Sequence, residues 1–276
     1  MRIGLVQLTS SDDPGYNLEQ CRDLVHQAAA GGAEFILTPE VTNCVSGDRA
    51  HQDSVLFFEE EDPTLAAMQY EARTLGVWIL LGSLALKTHD PDGRFANRSF
   101  MISPRGDITA RYDKIHMFDV NVTARETFRE SAGFRPGSRA VVAQTDFGKV
   151  GMSICYDVRF AHLHRALAAA GARILTIPAA FSPVTGAAHW EVLLRARAIE
   201  TGCFVLAPAQ TGTHDAGSGQ QRKTWGHSMA IAPWGEVLID AGVEKGVSLV
   251  DLDLSAVEGA RNRVPALTHD RDFEGP

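Results

Sequence analysis

Three residues far apart in the chain are of types that could do chemistry: Cys155, Glu40 and Lys114. Cys155 ends the run KVGMSIC, which reads as a strand, and a helix is expected a few residues later. A strand-to-helix turn exposes its apex residue and aims helix N–H groups at it. That setting favours thiolate over thiol and leaves a backbone N–H to receive an oxyanion. The competing reading is a buried, inert thiol. Cys21, on an apolar helix face, and Cys203, at a strand start, fit that reading; Cys44 fits either. Glu40 follows the apolar run FILTP, at the C-terminal end of a buried strand, where α/β sheets place their sites. Partial burial is expected to raise its pKa toward neutrality, as a general base requires; the alternative is a solvated loop carboxylate. Lys114 closes the strand ITARYDK, and taken alone it reads as solvated.

These residues need a scaffold, and the pattern around them alternates strand-like and helix-like segments. Strands are expected at residues 3–8, 35–40 and 77–86, and a hairpin turns at Pro104-Arg105-Gly106-Asp107. Further strands are expected at 140–146, 149–155, 172–181, 203–210, 227–233, 237–242 and 247–254. Helices are expected at 16–32, 63–75, 161–170 and 189–201. Residues 119–138 read as a long irregular loop, and such loops are often functional. Helices covering sheets that mix hairpins with crossovers indicate a layered α/β fold, read as one domain over 1–276 with a polar tail from about 265. FILTPE and RILTIP each end a strand at a proline after a helix, and IGLVQL and VGMSIC echo each other, which hints at two related halves.

Composition excludes several classes. With 26 Lys and Arg against 34 Asp and Glu, the formal charge is −8, which argues against a nucleic-acid partner. The densest basic cluster, Arg125, Arg129, Arg135 and Arg139, is interrupted by Glu126 and Glu130 and reads as a solvated loop face. The longest apolar stretch, Leu75 to Leu86, is well short of the roughly 20 residues a membrane span needs. The opening MRIGLVQLTSSDD turns acidic at once, unlike a signal peptide. Four cysteines without a CxxC pair suit free thiols in a cytoplasmic setting. No metal or cofactor is expected: His162 and His164 lie two apart on a helix and face different ways, and there is no HExxH. A papain-like protease would need a histidine partner, and the motifs around His116 and His227 do not fit one.

Glu40, Lys114 and Cys155, in that chain order, resemble the Cys–Glu–Lys triad of the nitrilase-like carbon–nitrogen hydrolases. The matching words are FILTPE, RYDKIHMFD and GMSICYDVRF, extended by TGAAHWEVLLRARAIE and TWGHSMAIAPWGEVL. CYDVRF and the RARAIE helix look closest to the omega-amidase and deaminated-glutathione-amidase branch; nitrilases carry tryptophan where Tyr156 stands. The resemblance implies a four-layer αββα sandwich with two mixed sheets, dimerising into an eight-layer assembly. It implies a small carboxylate-bearing amide as substrate, split to acid and ammonia through a cysteine thioester. Glu130 matches a second family carboxylate that positions Lys114 or the substrate. Arg159 is the expected partner of the substrate carboxylate, with Tyr156 and Phe181 as an apolar wall. Nitrile hydrolysis, N-carbamoyl amino-acid hydrolysis and a catalytically silent binding protein of the same fold are the alternatives.

Overall fold

Apolar residues one apart in the first strands face opposite ways, and that alternation builds the layers. A computed structural model describes residues 1–123, 126–217 and 221–275. The chain opens with β1 (Arg2–Gln7), α1 (Pro14–Ala30), β2 (Phe35–Leu37), α2 (Arg49–Val55), α3 (Pro63–Leu75), β3 (Trp78–Leu86), β4 (Ala96–Ile102) and β5 (Ile108–Asp113). Ile3, Leu5, Phe35, Leu37, Trp78 and Leu80 pack toward a second sheet, whereas Val6, Ile36, Ile79 and Leu81 pack under α1 and α3. A short hairpin of β6 (Asp119–Asn121) and β7 (Thr127–Arg129) follows.

The second half comprises β8 (Val141–Thr145), β9 (Gly148–Met152), α4 (Ala161–Ala169), β10 (Ile174–Thr176), α5 (Pro183–Thr201) and β11 (Phe204–Ala207). It continues with β12 (Thr211–Thr213), β13 (Lys223–Trp225), β14 (Met229–Ile231), β15 (Val237–Asp240), β16 (Gly246–Asp251) and α6 (Ser255–Arg263). The sheets run β16-β1-β2-β3-β4-β5 and β15-β14-β11-β10-β9-β8, each with three parallel strands at its centre and antiparallel strands outside. Helices α1 and α3 cover the first sheet and α4 and α5 the second, which makes the αββα sandwich.

The echo between halves is structural. β1-α1-β2 and β9-α4-β10 are equivalent crossovers, and Gly4 and Gly151 hold equivalent places. A Cβ at Gly4 would lie 2.9 Å from the Ala28 Cβ of α1; one at Gly151 would lie 3.0 Å from the Leu167 Cβ of α4. Each glycine lets a helix settle close onto its strand.

Several elements differ from expectation. Strand β9 stops at Met152, so Cys155 opens a short 3-10 turn (Cys155–Arg159) and does not end the strand. Helix α5 starts at Pro183, six residues before His189, with proline in the first helical position where its missing N–H costs nothing. Gly186, in its first turn, is glycine because a Cβ there would sit 2.3 Å from the Trp225 ring. Residues 119–138 contain the β6–β7 hairpin, α2 is a seven-residue helix capped by Asp48, and α6 buries only Val257 and Ala260.

Gly82 in β3 positions the site directly. Its N–H donates to Thr38 Oγ1 at 2.9 Å, and a Cβ there would lie 1.9 Å from the Thr38 carbonyl oxygen, two residues before Glu40. Gly82→Ala is therefore expected to destabilise the fold by about 3 kcal/mol and to cut turnover by displacing Glu40, read by thermal unfolding and an activity assay on the folded fraction.

Candidate active site

The parallel strands deliver their C-terminal ends to one place. Glu40 lies three residues past β2, Cys155 three past β9, and Ala180 four past β10, while Lys114 follows β5. The backbone is strained at two of these ends. Cys155 has φ +48° and Val41, next to Glu40, has φ +46°, the left-handed region that costs a side chain roughly 1–3 kcal/mol. Val41 is held there by its N–H donating to Ser83 Oγ at 2.8 Å, and Cys155 by its N–H donating to the Pro178 carbonyl at 2.9 Å.

The expected residues converge. Lys114 Nζ donates to Glu40 Oε1 at 2.8 Å and to both oxygens of Glu130 at 2.8 Å. Glu40 Oε1 also accepts from Asn97 Nδ2 at 2.9 Å, its Oε2 accepts from the Ala180 N–H at 2.8 Å, and the carboxylate lies beside the Cys155 thiol. Glu130 is anchored in turn by the Phe118 N–H, 2.6 Å from its Oε2. Glu126, one turn away, hydrogen-bonds Ser182 at 3.1 Å and not Lys114. Arg125 lies outside the described residues. Arg129 caps carbonyls of the β6–β7 hairpin, and Arg135 pairs with Asp90 and Asp113, so these arginines serve the loop.

Charge within the site differs from the expectation for Glu40. Burial pushes its carboxyl up, but the Lys114 ammonium, by charge and hydrogen bond, outweighs burial with help from Arg222, and the pKa falls below the ordinary 4.5. Lys114 is pushed down by burial and further up by Glu130 and Glu40, so it stays an ammonium. Burial and then the Glu40 charge raise the Cys155 thiol well above its ordinary 9.0. The resting site is therefore thiol, carboxylate and ammonium. A thiolate favoured by the helix end, as the sequence suggested, is absent at rest because the thiol is desolvated and faces a carboxylate. Cys21 and Cys44 are pushed up to about 12, first by burial, and Cys44 donates to the Asp12 carbonyl, which places both among the structural thiols.

These directions set a pH profile. For a site that works through ionised Glu40 and Lys114, kcat/KM is expected to stay flat from about pH 5.5 to 9, with its acid limb below 4.5. Buried His164 and His214, each lowered by burial to about 4, take protons more readily unfolded than folded between that value and 6.5. Stability accordingly falls as pH drops through that window, and the fold is to be checked at each acid point. An acid limb centred between pH 6 and 7 in folded protein would contradict this charge state.

The surrounding residues divide into two groups. Tyr156, Arg159 and Phe181 come together: the Arg159 guanidinium carbon lies 5.7 Å from the Tyr156 ring centroid and 5.4 Å from that of Phe181. Arg159 reaches His189 Nδ1 at 3.3 Å and, among the described residues, has no carboxylate partner. The second group was not legible as functional beforehand. Asp157, fully buried, accepts from Tyr112 Oη at 2.7 Å, from the Ile154 N–H at 2.9 Å, and from the His116 N–H and Nδ1 at 3.0 and 2.7 Å. Tyr112 and His116 flank Lys114, so Asp157 ties the turn carrying Cys155 to the strand end carrying Lys114. Asn97 bridges Glu40 and Lys114, its carbonyl accepting the Lys114 N–H at 3.0 Å. Arg222 stands behind Ala180, Nη2 donating to its carbonyl at 2.8 Å. Asp157 sat inside the motif CYDVRF without a role; Asn97 and Arg222 carried no pattern at all.

Comparison with known proteins finds relatives over nearly the whole chain. The family model described as carbon-nitrogen hydrolase matches residues 2–262. A protein of Yersinia enterocolitica named deaminated glutathione amidase is 38% identical over 98% of this chain and 92% of its own length. The Caenorhabditis elegans NitFhit protein superposes with a TM-score of 0.89 at 32% identity, over 98% of this chain and 65% of that longer one. An amidase of Nesterenkonia sp. AN1, in a glutamine-for-glutamate variant, superposes with a TM-score of 0.77 at 26% identity, over 96% of this chain and 98% of that one. Acrylamide has added to its active-site cysteine.

Proposed function

Because the chain belongs to the carbon–nitrogen hydrolase family, and is thus a hydrolase of carbon–nitrogen bonds other than peptide bonds, we propose that Cys155, Glu40 and Lys114 hydrolyse a small amide through a thioester. The observation that carries this reading is the buried ammonium of Lys114 set between Glu40 and Glu130, with the Cys155 thiol beside Glu40.

Glu40 takes the Cys155 proton as sulfur attacks the carbonyl carbon, because neither a neutral thiol nor an amide reacts alone. The tetrahedral oxyanion faces Lys114 and the Tyr156 N–H, which, near the start of its 3-10 turn, has no intrahelical acceptor. Lys114 has its three N–H bonds committed to carboxylates, so it acts on the oxyanion as a charge, or by yielding one bond to Glu130. Protonated Glu40 then gives its proton to the departing nitrogen as the C–N bond breaks. Water, deprotonated by Glu40, cleaves the thioester, and the proton returns to sulfur. Glu130 positions Lys114 throughout.

The substrate in this reading is an amide of the deaminated glutathione kind, whose acyl part bears a carboxylate beside a keto group. Arg159, unpaired by any carboxylate among the described residues, takes that group, and Tyr156 and Phe181 wall the acyl chain. Exposed Val184, Val192 and Ile199 on α5 support assembly as a homodimer through helices. The four free cysteines suit a cytoplasmic enzyme, and among the described residues no helix is long and apolar enough to cross a membrane.

The test is release of ammonia or amine from a panel of 2-oxo acid amides, N-carbamoyl amino acids and nitriles. Amides are expected to be turned over at least 100-fold faster than the others. Preferred hydrolysis of a nitrile or an N-carbamoyl compound would transfer the site to that chemistry, and turnover of none would leave a binding protein.

A further inference from the structure

Beyond β10 the chain runs out of sheet neighbours, and the next residue gives both of its backbone groups to side chains of the site. Strand β10 ends at Thr176, and its extension pairs once more, Ala179 with Ala209. Ala180 follows. Its N–H donates to Glu40 Oε2 at 2.8 Å, and its carbonyl accepts from Arg222 Nη2 at 2.8 Å. The same N–H also reaches the Cys155 sulfur: burial and the Glu40 charge raise that thiol, while Lys114 and this donor hold it down. One backbone donor therefore serves both partners of the proton transfer. Two residues earlier the Pro178 carbonyl accepts the Cys155 N–H at 2.9 Å, which fixes the two segments against each other.

Arg222 is itself well held. It lies half-buried in the segment before β13, and its own carbonyl accepts the His214 N–H at 2.9 Å. His214 is fixed in turn by the Ser10 carbonyl and the Thr224 hydroxyl, both at 2.7 Å. After burial and Lys114, the Arg222 charge is the next influence on Glu40. The groups facing Glu40 are thus Lys114 from the end of β5, Cys155 from its 3-10 turn and Arg222. Glu130 stands behind Lys114, and His214 behind Arg222.

Moving the proton changes what the Ala180 donor must do. At rest Glu40 carries the charge and the thiol is neutral. When the S–H bond breaks and its proton passes to Glu40, the carboxyl becomes neutral and the charge sits on sulfur. An N–H held within reach of both acceptors follows that charge without reorganising, whereas one free to swing must be reoriented in the transition state. Resting on the amidase reading above, we propose that Arg222 is a positioning residue: by clamping Ala180 it keeps one backbone N–H between Glu40 and Cys155, serving the carboxylate at rest and the thiolate as sulfur attacks. This role requires no contact between Arg222 and substrate.

The test compares Arg222→Met, Arg222→Gln and Arg222→Lys in two assays. One is turnover of a 2-oxo acid amide against pH; the other is alkylation of Cys155 by iodoacetamide, located by peptide mass spectrometry. Arg222→Met is expected to lower kcat by about 10–100-fold with KM within about threefold of wild type, and to slow alkylation at pH 7 in the same range. Loss of the positive charge leaves Glu40 easier to protonate, so the acid limb of kcat/KM moves up by about 0.5–1 in pH. A merely structural role would lower the folded fraction and leave the limb in place. Arg222→Lys, which restores a charge and a donor, is expected to return the limb and recover most of kcat. Folded Arg222→Met with wild-type kcat and an unmoved limb overturns the proposal, as does a loss confined to KM. If Arg222→Met does not fold, Arg222→Gln, a weaker and uncharged donor to Ala180, takes its place, and wild-type alkylation with an unmoved limb overturns the proposal. Wild-type protein that cleaves no amide refutes the amidase reading. The clamp is then judged by alkylation alone, and equal rates in wild type and variant overturn it.

Discussion

Cys155→Ala protein is expected to release product at least about 10⁴ times more slowly than wild type, because removing the nucleophile of a concerted catalytic unit costs nearly as much as removing the whole unit. What remains, Lys114 and the Tyr156 N–H, can polarise a carbonyl but cannot form the thioester. The fold should survive. Alanine keeps the Cβ and therefore the same left-handed backbone at φ +48°, and the lost sulfur is one buried atom worth about 1 kcal/mol. Alanine at Cys21, Cys44 or Cys203, by contrast, should affect stability and leave turnover nearly intact in folded protein. Product release near wild-type rate from Cys155→Ala would remove the covalent mechanism altogether.

Lys114→Met is expected to be as severe in turnover and worse in stability. Nζ is the shared counterion of two carboxylates, and its side chain is only 2% exposed. Without it, Glu40 and Glu130 face each other in a buried site, a loss of about 3–5 kcal/mol by analogy with other broken buried pairs. Glu40 then loses the charge that held its pKa down, and burial raises it. A carboxyl whose folded pKa exceeds its unfolded one favours folding below the unfolded value and loses that advantage as pH rises through the folded one. The variant should therefore recover part of its stability on acidification from pH 7 toward 5, opposite to the wild-type trend set by His164 and His214. Thermal unfolding across that range measures it; a variant with wild-type stability at pH 7 would show that the three charges are not coupled as described.

Glu40 and Cys155 were legible as candidates because each closes a strand-like run, and strand ends are where chain direction alone brings distant residues together; Lys114, after Arg111, Tyr112 and Asp113, reads as solvated alone and stands out only through the resemblance. The charge state of the three was not legible. Strand position indicates burial for Glu40, and burial alone raises a carboxyl; the pairing of Lys114 with Glu40 at 2.8 Å reverses the sign, and only the folded arrangement supplies that distance. The sequence pattern carries β9 three residues past its end in the structure, since Ser153 and Ile154 continue the extended pattern before Cys155 turns. Helix α6 escaped notice because a polar helix with two buried residues leaves almost no periodic trace. Asn97 and Arg222 act through contacts with residues 57 and 42 positions away, which no local pattern encodes.

The pairing of β1 with β16 bears on how the protein is made. Arg2 meets Asp251 across 249 residues, and this antiparallel strand completes the edge of the first sheet. A ribosome adding about 5–20 residues per second leaves the run RIGLVQ without that neighbour for roughly 12–50 s after it emerges. Five of its six residues are buried in the finished fold, and only Arg2 is charged, a composition prone to wrong strand pairing while the edge stays open. Nascent chains stalled short of residue 246 should thus be the form most dependent on chaperones, and most apt to aggregate when synthesis outruns them.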